Sequence, residues 1–463
     1  MLFLLWLKGR LCDVKEERDM KQYFQFQELG TTYRREIIGG LTTFLSMAYI
    51  LIVNPLTLTM ADVEGLDPSM RMDFQSVFVA TALAAAVGCL VMGLLAKYPI
   101  ALAPGMGLNA FFAYTVVLQY GVAWETALTG VLISGIIFIF LSLSGLREKI
   151  IDAIPNELKY AVGAGIGLFI TFIGLKNAGI IVGDPNTLVS LGDLANSNTL
   201  LAIFGIFITV ILMTKGFKGG IFYGILATTV VGMLVQLVPV PTQFIQFDFT
   251  MGPTFGAAFN AFGNIQSELL TFEMLLIVLT FLFVDFFDTA GTLVGVTSQA
   301  GLMKNGKLPR AGKALLADSI ATVTGAIFGT STTTSYIEST AGVAAGARTG
   351  LASVVTGLLF LLSLLFFPLL SVITPYVTAP ALIIVGVLMV SSLGKIEWNR
   401  FEIAVPAFLT IVMMPLTSSI ATGIAIGFLF YPITMTIKGQ GRNIHPIMYG
   451  MFVVFLLYFI FLI

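Results

Sequence analysis

The sequence predicts an all-α polytopic membrane protein of fourteen transmembrane spans arranged as two inverted repeats of seven. Three observations carry that expectation. The 463-residue chain is 57% hydrophobic and 11% charged, with a mean hydropathy of +0.96, where a soluble domain has roughly 25% charged residues. Apolar runs long enough to cross a hydrocarbon core of about 30 Å recur from Ile37 onward. Lysines and arginines gather on one side of the threading those runs impose.

Taken in order, the spans fall at about 37–58, 76–96, 100–119, 124–145, 157–177, 199–214, 219–239, 270–296, 314–329, 331–347, 350–372, 379–394, 400–415 and 418–437. Threading the chain through them puts 22 of the 24 basic residues on one side, leaving only Arg71 and Lys176 opposite. Arg147, at the end of the fourth span, is counted among the loop cations. The positive-inside rule then makes both ends of the bundle cytoplasmic. An odd-numbered repeat inserts its second copy upside down, so seven and seven implies inverted repeats. The resulting organisation is a cytoplasmic N-terminal segment (1–36), a first repeat (37–240), an extracytoplasmic loop (241–269), a second repeat (270–437) and a tail (438–463). The apolar stretch 445–463 is read as a surface or peripheral helix, with a fifteenth span as the open alternative. Residues 1–19 read as an N-terminal extension, with Met20 an alternative start; six apolar residues without a preceding charged region do not make a signal peptide.

A net charge of −1 with no basic patch argues against nucleic acid. The two cysteines, Cys12 and Cys89, do not form a disulfide framework. No phosphate-binding GxxxxGK[ST] loop is present, so the chain carries no ATP-hydrolysing loop of its own.

Spans three, "KYPIALAPGMGLNAFFAY", and ten, "FGTSTTTSYIESTAGVAAG", are both short. Pro99 and Pro104 interrupt one, and a run of β-branched residues opens the other. Each becomes helical at a small-residue turn and then presents a polar side chain, Asn109 and Glu338. Paired interruptions at matching places in two halves point to a midplane site. There, helix N-termini supply free N–H donors around a protein-lined cavity. The eighth span, "FLFVDFFDTAGTLVGV", adds Asp285 and Asp288 on one helical face. Ionised groups at such depth are costly and are kept for function. Carboxylates and an amide can hold the adjacent donors and acceptors of a flat heterocycle, as proteins do when reading purine edges. Phe111, Phe112, Phe286 and Phe287 offer rings for stacking. The acids also suit proton loading, so uphill transport on a proton gradient, or less readily a sodium gradient, is expected without any cofactor or metal.

The plainer readings are structural. Asp288 before "TAGT" can cap a helix break, and Asp318, near Lys313, fits helix packing or an interface. His445, the only histidine, lies in the tail, and the glycine runs "GAGIGLF" and "GIAIGF" fit close helix packing. Two rival functions are an anion transporter or channel, since half-helix N-termini attract anions, and an intramembrane aspartyl protease. The protease needs carboxylates facing across a cleft, whereas Asp285 and Asp288 lie one turn apart on one span.

The stretches "RREIIGGLTTFLSMAYILIVNP", "ALAPGMGLNAFFAY", "FVDFFDTAGTLVGV", "TSYIESTAGVAAGARTGLASVVTG" and "VPAFLTIVMMPLTSSIATGIAIGF" closely resemble the second nucleobase–cation symporter family, in its purine branch of adenine, guanine and hypoxanthine permeases. The likeness runs from about Arg34 to the C-terminus. It implies core and gate domains, antiparallel strands in spans three and ten meeting at the substrate, a homodimer, and a place in the inner membrane of a prokaryote. It also implies that Asn109, Asp285 and Glu338 bind a purine nucleobase, and that Asp288 or Glu338 carries the proton, because relatives vary at the position of Asp285.

Overall fold

The structure, a computed structural model, describes residues 20–63, 65–147, 153–217, 219–303 and 308–462. The extension 1–19 with Cys12, and the loop cations Lys149, Lys218, Lys304 and Lys307, lie outside the described residues.

Among the described residues, ten helices are long and apolar enough to cross a membrane. They include α1 (Tyr33–Leu58), α4 (Trp124–Leu143), α5 (Asn156–Asn177), α6 (Ser197–Thr214), α8 (Phe272–Gln299), α9 (Ala311–Phe328) and α14 (Ile420–Ile437). The others are the membrane-length stretches containing α2 (Phe74–Val91), α11 (Gly350–Ser363) and α12 (Pro375–Val390). Three shorter apolar helices, α3 (Met106–Gln119), α7 (Gly220–Leu234) and α13 (Phe401–Leu416), fall on further expected spans. The tenth expected span holds a strand and the six-residue helix α10 (Ser339–Ala344). Length and apolarity therefore carry ten helices rather than fourteen, and the shortfall lies where the chain is broken or short.

The helices pack as two groups. In one, α4 and α2 lie on α9, and α1 and α2 lie on α11. In the other, α5 packs on α12 and α13, α6 packs on α7 and α12, and α13 on α14. The glycine runs do close packing, as their spacing predicts. A methyl group at Gly165 or Gly423 would stand 2.6 and 2.3 Å from the Met414 side chain, well inside contact distance.

Packed against α2, α8 and α9 lies a two-stranded antiparallel ribbon of β1 (Leu102–Pro104) and β4 (Thr333–Ser335), in register Leu102↔Ser335, Ala103↔Thr334, Pro104↔Thr333. The residues that interrupt spans three and ten are those that pair. A proline at the end of β1 needs no ladder donor, and threonines favour extended backbone. Pairing satisfies backbone groups that the bilayer could not.

One feature departs from the sequence expectation. A second ribbon, β2 (Ile181–Asp184) with β3 (Leu188–Leu191), forms a hairpin in the α5–α6 connection, so the chain is not all-α outside the broken spans. Its turn is built at Asp184, whose carboxylate accepts from the Asn186 and Thr187 N–H groups at 2.8 Å each. The tail forms α15 (Pro446–Leu462), whose Phe455 ring lies 5.4 Å from Phe428 of α14 and 5.3 Å from Phe283 of α8. It packs along the bundle while Leu456, Leu457 and Ile460 stay exposed.

Candidate functional site

The β1–β4 ribbon delivers two chain ends to one place. Gly105 N–H donates to Thr332 O at 2.9 Å, and Tyr336 N–H to Ala101 O at 2.9 Å, so the pairing extends past both strands. The chain then enters α3 on one side and α10 on the other, with Glu338 as the residue preceding α10. Gly105 is required by closeness: a β-carbon there would stand 2.6 Å from the Thr334 methyl and 3.6 Å from Asp288 Oδ2.

A cavity of about 180 Å³ opens beside this junction. For scale, an engineered cavity of roughly 150 Å³ admits benzene. Tyr49, Gly105, Asp288 and Glu338 line it from one helix group, and Tyr160, Ile166, Met389 and Ser392 from the other. It extends to Lys395, which is exposed, so the site communicates with one end of the bundle. Glu338 is buried, and its Oε1 accepts from the Tyr49 hydroxyl at 2.5 Å. Tyr49 reaches it because α1 is interrupted at Ala48–Tyr49, between the helical segments Tyr33–Met47 and Ile50–Leu58. A buried carboxylate with one strong donor retains acceptor capacity on its remaining lone pairs. The site can therefore hold a neutral ligand through N–H groups that the ligand presents.

Of the residues singled out from the sequence, Glu338 and Asp288 both line the cavity, and so does one of the four rings, Phe287. Phe111 packs edge-on against Phe281 at 5.1 Å and Phe112 lies 6.4 Å from the same ring. Phe286 faces Phe287 at 5.7 Å without lining the cavity. Asn109, in the first turns of α3, is fully buried and not on the cavity wall. Its Oδ1 accepts from the Ser331 hydroxyl, while its Nδ2 has no hydrogen-bond partner. His445 stays in the tail connection, where its Nδ1 accepts from the Ile447 N–H.

Asp285 lies elsewhere. It is fully buried behind the ribbon, off the cavity wall, with Oδ2 3.6 Å from Nη2 of Arg147. The same Nη2 donates to Asp318 Oδ2 at 2.8 Å. Arg147 is thus not the loop cation expected from its place at the end of the fourth span. It is completely buried, because α4 packs on α9 and the long side chain can turn inward to a carboxylate. Tyr49 and Arg147 are the two residues that sequence reasoning missed. Tyr49 is one of 13 tyrosines and nothing in its type distinguishes it. Arg147 sits in "SGLREKI", where a basic residue is ordinary. A signal was available: Asp285, Asp288, Asp318 and Glu338 within spans demand some buried counter-charge.

A helical membrane bundle with a cavity beside the meeting of two broken spans, mostly apolar but lined by Tyr49, Asp288 and Glu338, has the organisation of a multi-pass membrane transporter. A family model described as the permease family matches residues 34–426. The chain belongs to that family, the second nucleobase–cation symporter family. It is 65% identical over 443 residues to the guanine/hypoxanthine permease PbuG of Bacillus subtilis, covering 96% of this chain and 100% of that one. It is also 43% identical to the adenine permease AdeQ of Escherichia coli, over 93% and 94% of the two chains. Among solved structures, it resembles the transmembrane domain of a cyanobacterial bicarbonate transporter, BicA, with a TM-score of 0.61 at 15% identity, covering 84% of this chain and 97% of that one. It also resembles SLC26A9, with a TM-score of 0.56 at 11% identity, covering 92% and 69%. At such identities the likeness is one of fold. The family expectation drawn from the sequence motifs is met.

Proposed function

We propose that this chain imports purine nucleobases by proton symport across the cytoplasmic membrane. The observation that carries the reading is the Tyr49–Glu338 pair facing a cavity of bicyclic-ring scale, with Asp288 on the same wall. Glu338 accepts from adjacent purine N–H groups, as carboxylates do with base edges. Phe287 supplies the ring beside the base, while Asn109, buried off the cavity wall at the start of α3, supports the site through the Ser331 hydroxyl rather than touching the base. Asp288, shielded in the same cavity, takes up and releases the coupling proton. The names of the relatives support guanine and hypoxanthine as the first substrates to test, with adenine next.

In the same reading, the strand-containing broken spans complete a count of fourteen in two inverted repeats, with both bundle ends cytoplasmic. The helix group of α1–α4 and α8–α11 moves as the core past the group of α5–α7 and α12–α14 as the gate, and the protein works as a homodimer. The cavity's exposed end at Lys395 then faces the cytoplasm, an inward-open state. Facing helix N-termini on an anion-transporter fold favour an anion, but two acids on the cavity wall oppose one. Reconstituted protein given radiolabelled hypoxanthine, bicarbonate and sulfate separates the two: uptake of hypoxanthine alone supports the reading, and uptake of an anion alone defeats it.

A further inference from the structure

Arg147 is a cation buried between two acids in a membrane bundle, and the transport reading gives it no task. Its Nη1 donates to Leu315 O at 2.9 Å and Ser319 Oγ at 3.0 Å, and its Nη2 donates to Asp318 Oδ2 at 2.8 Å. The guanidinium lies 3.9 Å over the Phe138 ring. Among the described residues Asp285, one of the two acids, has no hydrogen bond on either oxygen, and its ion-pair contact is Nη2 of Arg147, at 3.6 Å. One guanidinium therefore serves two carboxylates, with Asp318 held by contact and Asp285 by proximity.

From Asp318 the network continues to the substrate ribbon. Thr289 Oγ1 donates to Asp318 Oδ1 at 2.7 Å and lies 2.8 Å from Thr334 Oγ1, in the middle of β4. Thr334 pairs with Ala103 across the ribbon, and Glu338 follows four residues later. Buried charges persist only when paired, and removing one partner leaves the other stranded. Without Arg147, two carboxylates would face each other with no cation in reach. The interactions tie α4, α8, α9 and β4 into one body.

We propose that Arg147 and Asp318 are positioning residues for transport: a fixed ion pair that holds the Asp285 carboxylate and, through Thr289 and Thr334, the strand that presents Glu338. Asp285 then serves this ion cluster rather than touching the purine. The inference rests on the transport reading for its kinetic consequences, though not for its electrostatic ones.

The test is a charge cycle of R147Q, R147K, D318N and R147Q/D318N. Each variant is measured by initial-rate hypoxanthine uptake in proteoliposomes and by the melting temperature of the purified, ligand-free protein. R147Q should lower maximal uptake by more than about tenfold, with KM changed less than about twofold, because it strands two buried carboxylates. R147K keeps the charge but loses the forked donors and the stacking over Phe138, so its uptake should lie above that of R147Q and below wild type. The double variant should exceed R147Q by at least about threefold, and should recover melting temperature, because it restores the cluster's net charge. A double variant no better than R147Q in either readout would overturn the proposal. So would an R147Q protein with wild-type uptake, or one altered only in KM. Should R147Q fail to insert, D318N decides: reduced maximal uptake at unchanged KM supports the proposal, and wild-type uptake defeats it. If the wild type carries no hypoxanthine, the transport reading falls. The melting-temperature cycle then judges the ion cluster by itself, with recovery in the double variant for it and none against it.

Discussion

The Tyr49 hydroxyl donates to the Glu338 carboxylate at 2.5 Å across 289 residues of chain. It joins the break in the first long helix to the residue that opens the second broken span. Hydrogen bonds to charged groups contribute about 1.5–3 kcal/mol. Tyr49→Phe removes the donor that orients the Glu338 carboxylate and should raise KM for purine uptake severalfold, while the protein stays in the membrane. Initial-rate kinetics alongside immunodetection of the membrane fraction check this.

Gly105 has no room for a side chain. A methyl group added there would meet Thr334 at 2.6 Å and Asp288 Oδ2 at 3.6 Å, one in the ribbon and one in the cavity. Gly105→Ala is expected to push β1 off β4 and abolish most uptake, with a lowered melting temperature. A mutation that left both unchanged would show that the ribbon yields freely.

Cys89 is fully buried, with Sγ 3.2 Å from Leu102 N and 3.3 Å from Leu102 O at the start of β1. Buried thiols in apolar surroundings are inert. In a C12S background, where Cys89 is the sole thiol, the folded protein should resist a maleimide reagent until detergent denaturation, as followed by mass shift. Rapid labelling under native conditions would mean that the ribbon opens.

The proton reading predicts that accumulated hypoxanthine collapses on addition of a protonophore in sodium-free buffer, and that uptake is unchanged by removing sodium. Accumulation that instead required sodium would reassign the coupling ion, leaving the binding site as it is.

How much of the fold and site is legible in the sequence follows from the forces involved. The ten membrane-length helices come through because apolar length is written locally. The broken spans are visible because Pro99 with Pro104, and the "TSTTTS" run, fall in short apolar stretches at matching places in the two halves, where irregular backbone is tolerated only at a protected site. Pairing of β1 with β4 is a contact across more than 200 residues, and sequence alone supplies it only through family likeness. Glu338 and Asp288 reach the cavity as expected. Asp285 does not, although it lies one turn from Asp288, because a shared helical face does not fix which way each side chain is drawn. The deciding influence is Arg147, whose inward turn depends on α9 bringing Asp318 alongside. The β2–β3 hairpin escapes sequence reading because its turn signal, "GDPNT", looks the same in a plain connection as in a paired one.

The central claim is that Glu338 grips a purine base, and equilibrium binding of radiolabelled hypoxanthine to purified protein tests it most directly. The account predicts saturable binding displaced by unlabelled guanine in the wild type, and at least about tenfold weaker binding in a well-folded Glu338→Gln protein. Undiminished binding by that variant would contradict it.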